Sequence, residues 1–85
     1  MNISRNEQRV LHVLAQGGVI RYERAENGSI RAVSCLTRDG HVLASCTLEI
    51  FFRLHRKRLL ESKSSSSYRI SHKGCLSVRA QLDNR

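Results

Sequence analysis

Two dipeptides, Asn27-Gly28 and Asp39-Gly40, constrain the fold of this chain more than any other feature of its sequence. A tight hairpin turn needs positive φ at its central residues, and Asn-Gly and Asp-Gly adopt that conformation readily. Taken as two-residue turns, the two dipeptides predict a three-stranded antiparallel meander.

The turns also predict which residues face each other, because side chains alternate between the two faces of a sheet. The predicted pairs are Ile20 with Cys35, Tyr22 with Val33, Arg24 with Arg31, Val33 with Cys46 and Cys35 with Ala44. The apolar members would share one face with Val42, and the two arginines would meet at the exposed hairpin tip. We therefore expect Cys35 and Cys46 to be small buried residues.

A helix is predicted before the meander. Ser4 is a favourable N-cap, and Glu7 three residues later completes a capping box. The apolar face of this helix holds Val10, Leu11 and Leu14. The pair Gly17-Gly18 then supplies the left-handed residue that ends a helix.

A second helix is predicted after the meander, over residues 48–59, with Thr47 as its N-cap. Its apolar arc consists of Leu48, Ile50, Phe51, Phe52, Leu54 and Leu59. The opposite, largely basic side consists of Glu49, Arg53, Arg56 and Lys57. His55 and Arg58 fall within the apolar arc, so we expect one of them where the helix frays. Between Glu49 and Glu61 the sequence has no acid, and we expect the cations there to be mostly unneutralised.

Two short strands, over 59–62 and 68–71, are predicted next, joined by a flexible serine-rich loop around 63–67. Residues 72–80 predict a short final helix or turn that packs Leu76 and Val78, followed by a frayed tail.

The whole chain, residues 1–85, is thus expected to form one α+β, winged-helix-like domain. In that fold the helix before the hairpin can enter a DNA groove, and the hairpin loop can contact phosphates. Arg53, Arg56 and Lys57 would make the helix contacts, and Lys63 the wing contact.

The charge of the chain favours an acidic partner of some kind. Fifteen Lys and Arg residues against seven acids give a net charge of +8, and residues 48–85 hold nine of these cations and three of these acids. A positive field of this kind attracts either a polyanion or an acidic protein surface, and speeds encounter with both.

Several other classes of function are not expected. Asp39 lies in a predicted turn and Asp83 in the tail, so neither is placed to orient a catalytic histidine. The serines lack the glycine pattern of a nucleophile elbow, and no phosphate-binding loop is present. We expect a protein that is not an enzyme and that binds no cofactor.

The cysteines and the N-terminus point to a cytoplasmic protein. The three cysteines are odd in number and form no C-x-x-C pair, which favours neither a disulfide framework nor a zinc site. His72 and Cys75 would supply only half of a metal site. The N-terminal segment is polar, and no apolar run approaches the roughly 20 residues of a membrane span.

Three blocks of the sequence, "MNISRNEQRVLHVLAQGG", "SCTLEIFFRLHRKRLLES" and "VRAQLDNR", resemble the YjhX family of small bacterial proteins. The resemblance implies the toxin of a toxin-antitoxin pair, an inhibitor of DNA topoisomerase I, with that enzyme and a cognate antitoxin as partners. The residues expected to bind the partner are Arg53, Arg56, Lys57, Arg58, Lys63 and Arg69. The alternative is a winged-helix regulator that uses the same basic helix and hairpin on duplex DNA.

Overall fold

The computed structural model describes residues 3–64 and 66–83. Its helices are α1 (Arg5–Ala15), α2 (Leu48–Arg56) and α3 (His72–Asp83). Its strands are β1 (Val19–Arg24), β2 (Ile30–Leu36), β3 (Val42–Leu43), β4 (Leu60–Ser64) and β5 (Ser67–Ile70). The elements follow the predicted order of helix, meander, helix, hairpin and helix.

The strands form one antiparallel sheet in the order β3-β2-β1-β5-β4. Pairing of β1 with β5, seen at Ile20 opposite Tyr68, joins the meander to the hairpin. The β4–β5 hairpin is therefore part of the main sheet. The fold is a small α+β domain with three helices and a five-stranded antiparallel sheet in the described part of the chain, and the α+β prediction is confirmed. The winged-helix assignment stays a prediction.

The first hairpin keeps the predicted register except at its tip. Tyr22 lies opposite Val33 and Ile20 opposite Cys35, as predicted. The prediction that Arg24 faces Arg31 is wrong, since Arg24 lies opposite Ile30. The turn has three loop residues, in which the Ala25 amide donates to the Ser29 carbonyl and Gly28 adopts φ 88°. A register shift between Glu23 and Arg24 then compensates for the extra loop residue.

The second hairpin has the same three-residue loop without that compensation. The Thr37 amide donates to the His41 carbonyl at 2.7 Å, and Gly40 adopts φ 92°. Cys35 therefore lies opposite Leu43, so its predicted pairing with Ala44 is wrong.

Strand β3 ends at Leu43, and the predicted pair of Val33 with Cys46 does not form. Because a shift of one residue moves each side chain to the other face, Val42 is exposed instead of packing with the apolar face. Cys35 and Cys46 are nonetheless buried free thiols, as predicted. The pKa of Cys46 is raised well above its ordinary value by its hydrogen bond with Cys35 and by burial.

The three helices lie against one face of the sheet, because their buried residues form a single cluster with the inward residues of the strands. The buried core consists of Val10, Leu11, Leu14, Ile20, Cys35, Cys46, Ile50, Phe51, Leu54, Leu59, Leu60 and Val78. Two predicted core residues lie outside it: Phe52 is 42% exposed and Leu76 is 51% exposed. Phe52 was placed wrongly because it lies at the edge of the apolar arc predicted for the second helix.

Strand β4 and helix α3 are longer than predicted, and β5 is displaced by one residue from the predicted 68–71. Strands β4 and β5 take up most of the predicted flexible loop, and β4 extends to Ser64. Helix α3 continues through residues 81–83, where a frayed tail was predicted. Residues 84 and 85 of that tail, and residue 65 of the loop, lie outside the described residues.

Candidate partner-binding site on helix α2

Helix α2 begins at its predicted cap and turns one side towards the core. The Thr47 hydroxyl accepts a hydrogen bond from the Ile50 amide at 3.2 Å, which satisfies one of the free amides of the first turn. The buried side of the helix consists of Ile50, Phe51 and Leu54. The exposed residues of the helix are Glu49, Phe52, Arg53, His55 and Arg56.

Two of the binding cations predicted on the second helix are engaged by acids within the chain. The Lys57 Nζ atom lies 2.7 Å from Oε2 of Glu7, and an Arg53 nitrogen lies 4.0 Å from Oε1 of the same carboxylate. Arg53 also pairs with Glu49 one helical turn earlier. The expectation that these cations are mostly unneutralised is therefore wrong for Arg53 and Lys57. The charge pattern of residues 48–61 could not show that Glu7 neutralises these cations, because Glu7 lies in α1.

Glu7 is a buried charge, with a side chain that is 3% exposed. Burial raises its pKa, but hydrogen bonds from Lys57 and Ser4 and the positive charge of Lys57 together outweigh that effect. The pKa of Glu7 lies below its ordinary value of 4.5, and the carboxylate is charged at neutral pH. Ser4 is the predicted N-cap of α1, with its hydroxyl 3.2 Å from the Glu7 amide. Ser4 and Glu7, the two residues of the predicted capping box, therefore bond to each other, and Glu7 also binds Lys57 at the end of α2.

Arg58 lies just beyond the end of α2 in the left-handed region, with φ 62°. Its amide donates to the His55 carbonyl, and the Leu59 amide donates to the Leu54 carbonyl, each at 3.0 Å. These two bonds are a Schellman motif, which normally has glycine at the position of Arg58. The expected fraying is therefore replaced by an ordered cap. The Ser71 hydroxyl donates to the Arg58 carbonyl at 2.8 Å and fixes the cap against the start of α3.

The hairpin cation Arg69 does not join the cations of α2 in a single surface. Tyr68 faces α2, with its ring 5.3 Å from that of Phe51. Because neighbouring strand residues point to opposite faces, Arg69 points away from the helices, where it pairs with Glu61 at 3.5 Å. Lys63 is exposed on the edge strand β4. Of the predicted residues, Arg53, Arg56 and Lys57 therefore belong together on α2.

Phe52 is a surface residue that the sequence pattern assigned to the core. At 100° per residue, Phe52 lies about 160° from both Ile50 and Leu54 around the helix, so it points away from the core that those residues enter. Phe51 is buried, whereas Phe52 lines a shallow surface depression. The other residues of this depression are Leu48, Glu49, Arg53 and Arg56. The angular position of Phe52 relative to Ile50 and Leu54 was the signal that could have identified it as exposed.

The described residues contain no group of three or more His, Cys, Asp or Glu residues that could hold a metal ion. Within the same residues, no helix is both long enough and apolar enough to span a membrane.

The YjhX toxin family model, described as "Putative toxin of bacterial toxin-antitoxin pair", matches residues 1–85. A UPF0386 protein of Beijerinckia indica is 74% identical over 85 residues, and the match covers all of both chains. UPF0386 proteins of Ruegeria sp. and Aliivibrio fischeri are 68% and 46% identical, again over the whole of both chains. No solved structure matches the chain.

Proposed function

Because the chain belongs to the YjhX toxin family, we propose that it is the toxin of a bacterial toxin-antitoxin pair and inhibits DNA topoisomerase I by direct binding. The observation that carries the toxin role is the match of the family model to residues 1–85. The proposal of topoisomerase I as the target rests on the resemblance of three sequence blocks of this chain to the YjhX family. The inhibition is steric: the chain occupies a surface that the enzyme needs and has no catalytic step of its own.

The proposed contact surface is the exposed side of α2, centred on Arg56. Arg56 makes no ion pair within the part of the chain that the structure describes, so its guanidinium can bind a carboxylate of the target in the two-pronged geometry typical of arginine. Arg53 is half-exposed and contributes a second guanidinium beside it. Lys57 supports the surface by holding α2 against α1 through Glu7.

The charges around α2 favour a protein target over duplex DNA. Arg53 and Lys57 pair with the carboxylates of Glu7 and Glu49, so among these three cations only the charge of Arg56 is left without an acidic partner in the described part of the chain. A duplex-binding surface neutralises several phosphates at once, and each one adds about −0.9 to the slope of log affinity against log salt. The competing hypothesis, a DNA-binding regulator, draws on the excess of cations in residues 48–85.

The experiment that tests this proposal is the relaxation of negatively supercoiled plasmid by bacterial DNA topoisomerase I. The chain is titrated at a low and at a high plasmid concentration. A protein that binds the enzyme inhibits at a fixed ratio to enzyme at both. Inhibition that follows the plasmid concentration would favour the DNA-binding regulator, and a complete lack of inhibition would refute the topoisomerase target.

A further inference from the structure

The depression around Phe52 combines an exposed aromatic ring with exposed cations, and this combination defines the kind of partner that fits it. We propose that it binds an acidic, amphipathic segment of the antitoxin. This inference rests on the proposed role of the chain as a toxin, and it deepens that role by naming the chemistry of the antitoxin. It does not depend on which enzyme the toxin inhibits.

Phe52 is a preorganised apolar anchor. Its ring lies with its centroid 5.4 Å from that of Phe51, in an edge-to-face arrangement. Phe51 is itself 1% exposed and packs against the sheet through Tyr68, so the surface behind Phe52 is rigid. A partner side chain that covers Phe52 therefore buries apolar area without having to order a mobile ring. Buried aromatic anchors of this kind contribute most of the energy of many interfaces.

The cations beside Phe52 select for carboxylates. Arg56 has no ion pair among the described residues, so an incoming carboxylate can bind it without displacing an acid of the chain. Arg53 shares the exposed carboxylate of Glu49, which a partner's acid can replace at the cost of a single surface pair. Lys57 stays with the buried Glu7 and takes no part.

The matching ligand has an apolar side chain for Phe52 and Leu48, flanked by acids for the two arginines. A short helix with apolar residues on one face and acids beside them presents this pattern, as do other helices that bind in surface grooves. A nucleic acid fits less well. A base could stack on Phe52, but a single-strand groove also needs several cations along the phosphate backbone.

The position of the depression has a consequence for regulation. It includes Arg53 and Arg56, which are also the residues proposed to contact the topoisomerase. The antitoxin would therefore neutralise the toxin by covering the surface that the toxin uses, and the two partners would exclude each other.

The test is a selection from a display library of random peptides, each long enough for four helical turns, against the purified chain. Three purified variants are compared with the wild type: Phe52→Ala, Arg56→Glu and, as a matched control, Leu76→Ala. Leu76 is also an exposed large apolar residue, but it lies on α3. Circular dichroism confirms that each variant is folded. A labelled short DNA duplex and a labelled single strand are tested beside the selected peptides.

The selected peptides are expected to be rich in Asp and Glu interleaved with large apolar residues. Their affinity should fall at least about tenfold for Phe52→Ala and for Arg56→Glu, and should be unchanged for Leu76→Ala. Neutral or basic peptides, or peptides that bind Phe52→Ala as well as wild type, would overturn the proposal. The proposal would also be overturned if the duplex or the single strand bound more tightly than the peptides and if that DNA binding were likewise lost in Phe52→Ala. The assay contains no topoisomerase, so its failure is distinct from a failure of the proposed target.

Discussion

Lys57 lies fifty positions after Glu7 in the sequence, yet its ammonium nitrogen is 2.7 Å from the carboxylate of that residue. The pair joins the end of α2 to the first turn of α1 across the surface of the domain. The Lys57 side chain is 27% exposed and that of Glu7 3% exposed, so the bond is sheltered from water at its acidic end. Lys57, which was expected to bind a partner, therefore helps to hold α2 against α1.

Replacing Lys57 by Met should destabilise the fold, because the buried Glu7 carboxylate loses its closest cation. Breaking a fully buried pair from one side costs about 3 to 5 kcal/mol, and we expect a smaller loss of about 2 kcal/mol here because Lys57 is partly exposed. The free energy of unfolding in urea measures this loss. Arg56→Met is the matched control on the same helix, and it should change the stability little. Equal stability of the two variants would contradict the structural role of Lys57.

The same pair predicts how stability depends on pH. The pKa of Glu7 is lower in the folded chain than its ordinary value of 4.5, so the charged carboxylate stabilises the fold above that pH. This contribution is lost as the pH falls from about 4.5 through the folded pKa. Glu7→Gln removes the titrating group, so the wild type should be the more stable of the two at neutral pH. The difference should narrow in acid, as measured by urea unfolding at a series of pH values. A constant difference across the series would show that Glu7 is not the titrating group.

Replacing Arg58 by Gly should stabilise the chain, although it removes a charged residue. Arg58 has φ 62°, a conformation that is unfavourable for residues with a Cβ and natural for glycine. The expected gain is about 0.5 to 1 kcal/mol after the greater freedom of glycine in the unfolded chain is taken into account. Arg58→Ala keeps the unfavourable conformation and should show no such gain in a thermal melt. A glycine variant no more stable than the alanine variant would argue against the left-handed cap.

Gly74→Ala should destabilise the chain, although alanine favours helix. A Cβ at this position in α3 would lie 2.5 Å from the Leu59 carbonyl oxygen and 2.6 Å from Cγ1 of Ile70. Both neighbours belong to packed parts of the fold, so we expect a loss of about 2 kcal/mol from overpacking. Cys75→Ala, at the next position of the helix, serves as the control, with urea unfolding as the measurement. A stabilising Gly74→Ala would mean that α3 lies farther from Leu59.

The sequence allowed correct predictions where the determining interaction is local. The caps Ser4 and Thr47 lie within three residues of the amides that they satisfy. The turn at Asn27-Gly28 gave the correct register for β1 and β2 only because a later register shift restored it. The loop at Asp39-Gly40 is of the same type, but no register shift follows it. The predicted register of β2 and β3 was therefore wrong by one residue.

The remaining features depend on parts of the chain that are distant in sequence. Nothing near Lys57 indicates that Glu7 lies beside it, since the contact exists only once α1 and α2 pack together. The cap at Arg58 was missed because its motif usually has glycine there. The separation of Arg69 from the α2 cations follows from which face of the sheet the helices cover, and a charge pattern along the sequence does not contain that information.

We have proposed that the exposed side of α2 binds bacterial DNA topoisomerase I directly. The most direct test is calorimetric titration of the purified chain into the purified enzyme in the absence of DNA. We expect a saturable complex that is weakened at least about tenfold by Arg56→Glu. Lys73→Glu, an equal change of charge at an exposed position on α3, should leave the affinity unchanged. If no complex forms without DNA, or if the two variants bind equally well, the claim is contradicted.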